Sequence, residues 1–403
     1  MHDKGLAMKV AWVCAYPVKM LESAGLKFGR RVGHSHPYSW IVNLSNELAR
    51  QKQIELHIIT ETKYIARSRQ ITFNNISFHI LRNALPFTFR SFPAYLPVDA
   101  ISGFFARRLN IIKKIKDINP DIVHAHGTEG PNALAAIGSG RKNIISIQGI
   151  VSEYHKICPS LHFALTGRYE NLAVKKGRNF ICKTDFDKRF VLSLNPEARI
   201  YNISEAMNPV FFQGKWVDPT ENSILFVGAF EERKGLHLLL EALSRVAKSI
   251  PDVCLYVIGT GEKPRKLLLE KMCRKLGIMK HVKFLGFKTA PEIADWHLRS
   301  KIFVMPSKIE NSPNALTEAM VSGMPIIASD RGGIGSLVEH NESGVLVNPD
   351  DASQMSQAIV NLLLDKDLRR NLGKNAKDFA QKHRPPLVAE STLKAYKEII
   401  EEG

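Results

Sequence analysis

No stretch of this sequence approaches the roughly 20 consecutive apolar residues that a membrane-spanning helix needs. The start, Met1 to Lys9, is polar and is followed by only a short apolar run, so no signal peptide is expected, and Met8 is a candidate alternative start. Cysteine is scarce: Cys14, Cys158, Cys182, Cys254 and Cys273 show no C-x-x-C spacing and read as reduced thiols of a cytosolic protein. There is no internal repeat and no low-complexity linker between the halves. Acidic residues are short in one half only. Residues 1–200 hold 29 Lys/Arg against 14 Asp/Glu, while residues 201–403 hold 27 against 25. The basic half points to an anionic partner: a membrane surface, a lipid phosphate or nucleic acid. Aromatic-interleaved basic repeats of the RNA-binding kind are absent, so no nucleic acid is expected.

What is present is a chain of 403 residues, 44% of them hydrophobic, long enough for two domains with large cores. Short apolar runs alternate with helical patterns in both halves. Strands are expected at 10–15, 54–60, 76–81, 121–127, 143–148, 180–182 and 199–203, then at 222–228, 254–258, 282–286, 302–305, 326–328 and 344–347. That alternation predicts an α/β protein with two doubly wound, Rossmann-like domains and a cleft between them. Asp99 to Asp117 reads as one amphipathic helix. Its apolar stripe is Ile101, Phe104, Phe105, Leu109, Ile112 and Ile115, flanked by Arg107, Arg108, Lys113, Lys114 and Lys116. It either packs on the sheet or lies on an anionic bilayer. Asp185 and Asp187 form a D-x-D that reads as a helix start at Thr184 or Asp185 rather than a metal site.

The chemistry concentrates between Lys301 and Ser336. A buried strand, Ile302 to Met305, stops at Pro306-Ser307. A loop then carries Glu310, Asn311 and Ser312, and Ser312-Pro313 predicts a helix start with serine as N-cap and proline at the first helical position. That helix stops at Gly323, with Pro325 beyond. Such a helix end suits anionic or hydroxyl-rich ligands. Glu310 lies at the strand's C-terminal edge and Glu318 inside the helix, so the two carboxylates can face one ligand from different depths. The plainer alternative is a surface acid plus a solubilising glutamate. Upstream, the strand 222–228 leads into Ala229-Phe-Glu-Glu-Arg-Lys-Gly and a helix, a natural phosphate cradle with Arg233 and Lys234. His124 and His126 end the strand 121–127 on one face. His126 is nearer the edge where open α/β sheets bind ligands.

The run E-N-S-P-N-A-L-T-E-A-M resembles the motif of two glutamates eight residues apart in retaining glycosyltransferases of family 4, which have the GT-B fold. The resemblance spans nearly the whole chain and is most specific from Ile224 to Asp350. It implies domains at 1–204 (acceptor side) and 205–384 (nucleotide-sugar side), with 385–403 a helix crossing back to the first. It implies that Glu310 contacts the donor sugar, Glu318 the ribose hydroxyls and His126 the sugar, with His124 as the fallback. Asn311, Ser312, Pro313 and Asn314 would then contribute to the donor site. Lys234 matches the lysine of the family's G-R-x-x-x-x-K-G segment, whereas its arginine position holds Ala229, and Arg233 is the candidate replacement. The turn at Gly259 and the backbone at Phe287 would lie by the nucleotide. The family's Gly-Gly loop is represented by Gly33 with Ser35-His36, where His34 or His36 is a candidate ligand contact.

The function implied is transfer from a nucleotide-diphosphate sugar to a glycan or lipid-linked acceptor, with bacterial surface-polysaccharide synthesis as the setting. No metal or other cofactor is expected. The location implied is cytoplasmic, at most peripheral on the inner membrane. The competing readings are a sugar-nucleotide epimerase or phosphorylase of similar fold, and a non-catalytic protein binding anionic lipid or RNA.

Overall fold

A computed structural model describes residues 7–28, 39–83 and 98–402. Gly33, His34, His36 and the Pro- and Phe-rich segment 84–97 lie outside the described residues. The chain divides into one unit of residues 1–206 plus 385–403 and a second of residues 207–384.

The first unit is built on an eight-stranded sheet in the order β3-β4-β2-β1-β5-β6-β7-β8. Its strands are β1 (Met8–Val13), β2 (Ile54–Thr62), β3 (Arg69–Phe73), β4 (Ile76–Arg82), β5 (Ile122–His126), β6 (Asn143–Ser146), β7 (Asn179–Cys182) and β8 (Arg199–Asn202). All pairings are parallel except β3 with β4. The sequence analysis did not identify β3. Asn74 and Asn75 both have positive φ and close a tight hairpin, so an Asn-Asn pair between two alternating runs was the available signal. One face of the sheet packs on the helices Ser39–Leu48 and Pro385–Glu401, the other on Phe105–Ile118, Asn132–Gly138 and Leu161–Lys176. Pro385 and Pro386 do not interrupt the chain. They form the first turn of the last helix, where a missing N–H costs nothing and the fixed φ fits.

The second unit has a fully parallel six-stranded sheet in the order β11-β10-β9-β12-β13-β14. These strands are β9 (Ser223–Val227), β10 (Cys254–Ile258), β11 (Val282–Gly286), β12 (Ile302–Met305), β13 (Ile326–Ser329) and β14 (Val345–Val347). Its four inner strands are almost wholly buried, as a sheet covered on both faces requires, while the edge strands β11 and β14 are partly exposed. In each sheet the strand order reverses once, between β1 and β5 and between β9 and β12. A crevice opens at such a point, outside the carboxyl ends of the strands. The elements that follow β5, β9 and β12 are therefore the ones placed to carry a site.

The expected helix 99–117 is broken. Val98–Ile101 and Phe105–Ile118 are separate helices, divided where Gly103 and Phe104 take left-handed φ of 62° and 57°. The break turns Phe104 inward against Tyr169, ring centroids 5.8 Å apart. Ile111, Ile115 and Ile118 supply the buried stripe, while Ile101, Phe105 and Leu109 stay exposed. Arg107 is not a solvated flank either: it pairs with Glu61 at 2.6 Å and Asp99 at 2.8 Å.

Candidate active site

In the second unit, the loops after β9 and β12 meet at the switch point. After β9, the short turn Glu232–Lys234 ends at Gly235, whose φ is +71°. A Cβ on Gly235 would lie 1.9 Å from the carbonyl oxygen of Pro306, so only glycine lets this turn seat against the end of β12. The Lys308 N–H donates to the Arg233 carbonyl at 2.7 Å. On the other side, Gly333 N–H donates to the Glu310 carbonyl at 2.8 Å, and a Cβ on Gly332 would come within 2.1 Å of that oxygen. The loop 306–310 is thus gripped by backbone from both neighbouring loops.

That grip places Glu310 beside two cations. Lys234 Nζ donates to Glu310 Oε1 at 2.5 Å and Arg233 Nη1 to the same oxygen at 3.2 Å. Arg233 Nε also pairs with Glu231 at 2.8 Å. Burial pushes the Glu310 carboxyl up, but Lys234 and then Arg233 outweigh it and hold the group below its ordinary range. Glu310 is therefore a buried, ionised carboxylate bridging two donors.

The helix that follows is Asn314–Val321, one residue later than expected, with Pro313 rather than Ser312 at the N-cap position and no side-chain cap. Its far end is a Schellman stop: Gly323 N–H bonds to Met320 O at 2.9 Å and Met324 N–H to Ala319 O at 3.1 Å. Ser312 Oγ, Asn314 Oδ1 and Thr317 Oγ1 are buried polar atoms without a hydrogen-bond partner among the described residues. Native proteins pair such atoms almost always, so their gathering here marks a place where a polar ligand completes the structure. Glu318 is buried in the same helix with no ion-pair or hydrogen-bond partner for its carboxyl among the described residues. Burial alone pushes it up to about 8.

In the first unit, the sites of interest follow β5 to β8. His124 is fully buried in a chain of hydrogen bonds. Trp12 Nε1–H donates to Tyr396 Oη at 2.9 Å, Tyr396 Oη lies 2.6 Å from His124 Nδ1, and His124 Nε2 lies 2.6 Å from Ser146 Oγ. The indole can only donate, so Tyr396 Oη accepts from it, and both ring nitrogens of His124 are occupied by hydroxyl groups. His124 is therefore committed to structure. His126 stacks on it, ring centroids 3.9 Å apart, and lies tilted at 56° against Trp12, 4.4 Å away. Neither of its ring nitrogens has a hydrogen-bond partner among the described residues. Burial, with His124 and Lys183 nearby, drives its pKa well below the ordinary value, so the imidazole is neutral. Asp187, the second acid of the D-x-D, closes a capping box with Thr184, which leaves its carboxylate occupied at a helix N-terminus.

Residues 210–379 match the family described as "Glycosyl transferases group 1". These residues are similar to a group 1 glycosyltransferase domain. Across 89% of this chain and 94% of its own length, an uncharacterised glycosyltransferase of Methanocaldococcus jannaschii is 25% identical. A GDP-mannose-dependent alpha-(1-6)-phosphatidylinositol monomannoside mannosyltransferase of Mycobacterium tuberculosis is 27% identical over 154 residues, 36% of this chain and 40% of its own length. Among solved structures, sucrose-phosphate synthase from Thermosynechococcus elongatus covers 98% of this chain and 100% of its own, with a TM-score of 0.80 at 17% identity. The fold is GT-B, made of two Rossmann-like α/β units.

In the second unit Glu310, Lys234 and Arg233 come together, and Asn311 and Pro313 are buried next to them in the chain. Ala229 does not supply a cation, and Arg233 reaches the same carboxylate as Lys234. Gly259 ends β10 with its N–H on the Gly286 carbonyl at 2.9 Å. Phe287 follows the edge strand β11 and is 51% exposed. His126 belongs to the other unit. Sequence reasoning missed Lys183 and Glu205, a buried ion pair beside His126. The signal available was a lysine directly after an apolar strand, at the edge where ligands bind.

Proposed function

We propose that the protein transfers a sugar, with retention of configuration and without a metal, from a nucleoside-diphosphate donor to a glycan or lipid-linked acceptor in cell-surface polysaccharide synthesis. The observation that carries this reading is the Glu310 carboxylate bridging Lys234 and Arg233 at the β9/β12 switch point of a group 1 domain. As the glycosidic bond breaks, negative charge grows on the leaving diphosphate. Lys234, Arg233 and the start of the helix Asn314–Val321 supply positive charge in place beforehand, the kind of electrostatic help that contributes most to many enzymes. Glu310 holds a sugar hydroxyl, and Glu318 the ribose pair. No side chain among them is a convincing nucleophile, so attack occurs on the face the leaving phosphate departs from, with that phosphate taking the acceptor's proton. The mycobacterial relative's name, with GDP-mannose and phosphatidylinositol monomannoside, supports a nucleotide sugar and a lipid-linked acceptor.

The test is a thermal-shift panel of UDP, GDP and ADP, then their sugars, followed by nucleoside diphosphate release with an acceptor present. One nucleotide series stabilises the protein. Arg233→Ala lowers that shift and slows transfer by about 10²-fold, the cost of removing one charge-stabilising donor. Full activity in this variant would remove Arg233 from the diphosphate site. Free phosphate acting as a co-substrate, or an epimer formed without transfer, would point to a phosphorylase or an epimerase instead.

The acceptor is presented at an anionic membrane surface on the cytoplasmic side. No helix among the described residues is long and apolar enough to cross a membrane. On the helix Phe105–Ile118, exposed Phe105 and Leu109 share a face with exposed Lys113 and Lys116. Apolar insertion plus basic residues is the pattern of a helix lying in the interface. Sedimentation with phosphatidylglycerol vesicles tests it. The protein pellets at low salt, less so at high salt, and not with phosphatidylcholine alone. Lys113→Glu/Lys116→Glu weakens binding about 30-fold or more, at roughly 1 kcal/mol per cation lost. Equal pelleting of this variant would discard the surface.

A further inference from the structure

The helix Lys263–Lys275 of the second unit presents a face that its own packing does not use. Pro264 stands in its first turn. Gly277, with a φ of 70°, ends it, and the Ile278 N–H bonds back to the Cys273 carbonyl at 3.0 Å. One stripe faces the sheet: Leu269 and Cys273 are buried, and Met272 and Leu276 pack on the same core. The opposite face carries Leu267 and Leu268, 51% and 59% exposed. One and two turns further along that face stand Lys271, Arg274 and Lys275, all exposed. A single exposed leucine is ordinary. Two adjacent ones bordered by cations form an amphipathic surface turned toward solvent.

Charge in this unit is segregated. Residues 263–283 hold eight Lys/Arg against one acid, Glu270, while residues 207–262 and 284–384 together hold 17 against 19. Arg265 reaches Glu232 at 4.0 Å and Lys266 reaches Glu270 at 3.6 Å. Among the described residues, Lys263, Lys271, Arg274, Lys275 and Lys280 have no acidic partner. A nearly neutral unit thus concentrates its unpaired positive charge around one pair of exposed leucines.

We infer that this face of the second unit is a docking surface for an anionic phospholipid bilayer, separate from the helix Phe105–Ile118 of the first unit. The cations call for negative charge opposite them. The leucines call for an apolar phase, which a polyanion dissolved in water does not supply. A nucleic acid would leave them wet, and residues 263–280 contain no aromatic side chain on which a base could stack. A protein partner of ordinary size covers about 800 Å² around an apolar and aromatic centre, and two leucines bordered by cations provide no such centre. A bilayer takes the surface as it stands. The leucines enter the boundary of the acyl chains, and the long lysine and arginine stems reach headgroup phosphates. The inference uses the second unit alone and does not depend on the donor, so it stands or falls apart from the transfer reading.

The test is amide hydrogen exchange on the full chain, read by mass spectrometry in peptides covering residues 263–280. At low salt, phosphatidylglycerol vesicles protect these peptides. High salt removes the protection, and phosphatidylcholine vesicles give none. Affinities are then measured by sedimentation in the Lys113→Glu/Lys116→Glu background, where the helix of the first unit no longer contributes. There, Lys271→Glu/Lys275→Glu weakens binding about 30-fold or more, by the loss of two cations near the surface. Leu267→Gln/Leu268→Gln weakens it about tenfold at unchanged charge, by the loss of apolar burial. All four side chains are exposed, so the fold tolerates the changes, and melting curves check that it does. Peptides 263–280 left unprotected by phosphatidylglycerol overturn the inference, including the case where protection is confined to residues 105–118. So does full binding by the leucine variant together with equal protection by poly-L-glutamate, which would make the partner a soluble polyanion.

Discussion

Replacing Glu310 with alanine is expected to abolish sugar transfer while leaving nucleoside diphosphate binding intact or tighter. Glu310 is only 5% exposed, and Lys234 and Arg233 keep it ionised despite its burial. In the ligand-free protein it is their counter-ion. Removing it leaves two neighbouring cations, of which only Arg233 retains a carboxylate partner, Glu231, among the described residues. A diphosphate then meets more net positive charge, so its affinity stays or rises. The sugar fares differently. It loses the carboxylate that accepts its hydroxyl, and the cations lose the anchor that sets their geometry. Positioning and preorganised charge each contribute several kcal/mol to a barrier, so turnover falls by about 10³-fold or more. Isothermal titration with the preferred nucleotide and a transfer assay on the same preparation separate the two effects. Normal turnover with any donor, or equal loss of nucleotide binding and transfer, would contradict the assignment.

Glu318 makes the second large effect, and its sign depends on pH. The folded carboxyl ionises at about 8 because it is buried without a partner. In the unfolded chain it ionises near the ordinary value of about 4.3. Between those values the folded protein holds one more proton than the unfolded one. Stability therefore falls as pH rises through this window, by up to about 1.4 kcal/mol per pH unit, and levels off above it. Glu318→Gln abolishes that slope. The variant gains on the wild type steadily from pH 5 to pH 8, which paired melting curves will show, and a gap that does not vary with pH would refute the account. Nucleotide binding runs the other way. A carboxylate accepts both ribose hydroxyls better than an acid or an amide does, so wild-type affinity climbs toward pH 8 with uptake of nucleotide coupled to proton release. The glutamine variant binds about tenfold more weakly, for one charged hydrogen bond lost, and shows no such climb. Stability and function thus pull against each other at one side chain.

Much of this site was legible because it is local. The strand, loop and helix around Glu310 are contiguous, and each start and stop has a residue type that enforces it. The left-handed break at Gly103 was not legible in the same way. Its neighbours continue a helical pattern, and what decides the break is the ring of Tyr169, 66 residues later, against which Phe104 turns. The same break leaves Ile101, Phe105 and Leu109 exposed, so only part of the expected stripe, Phe104 and Ile115, is buried. The hairpin of β3 was overlooked although Asn74-Asn75 announced it.

The order of elements, the two-unit α/β class and the acidic and basic groups of the nucleotide side follow from the sequence alone, because periodicity, helix signals and short loops act over a few residues. Which charges meet is a tertiary matter. Arg233 and Lys234 reach Glu310, 77 and 76 positions away, only because strand order places β9 beside β12 and two glycines let the backbones close in. His124 and His126 look equivalent in the chain. Packing against Trp12 and Tyr396 commits the first to the core and leaves the second its hydrogen-bonding nitrogens, since burial sets which polar groups remain to be satisfied.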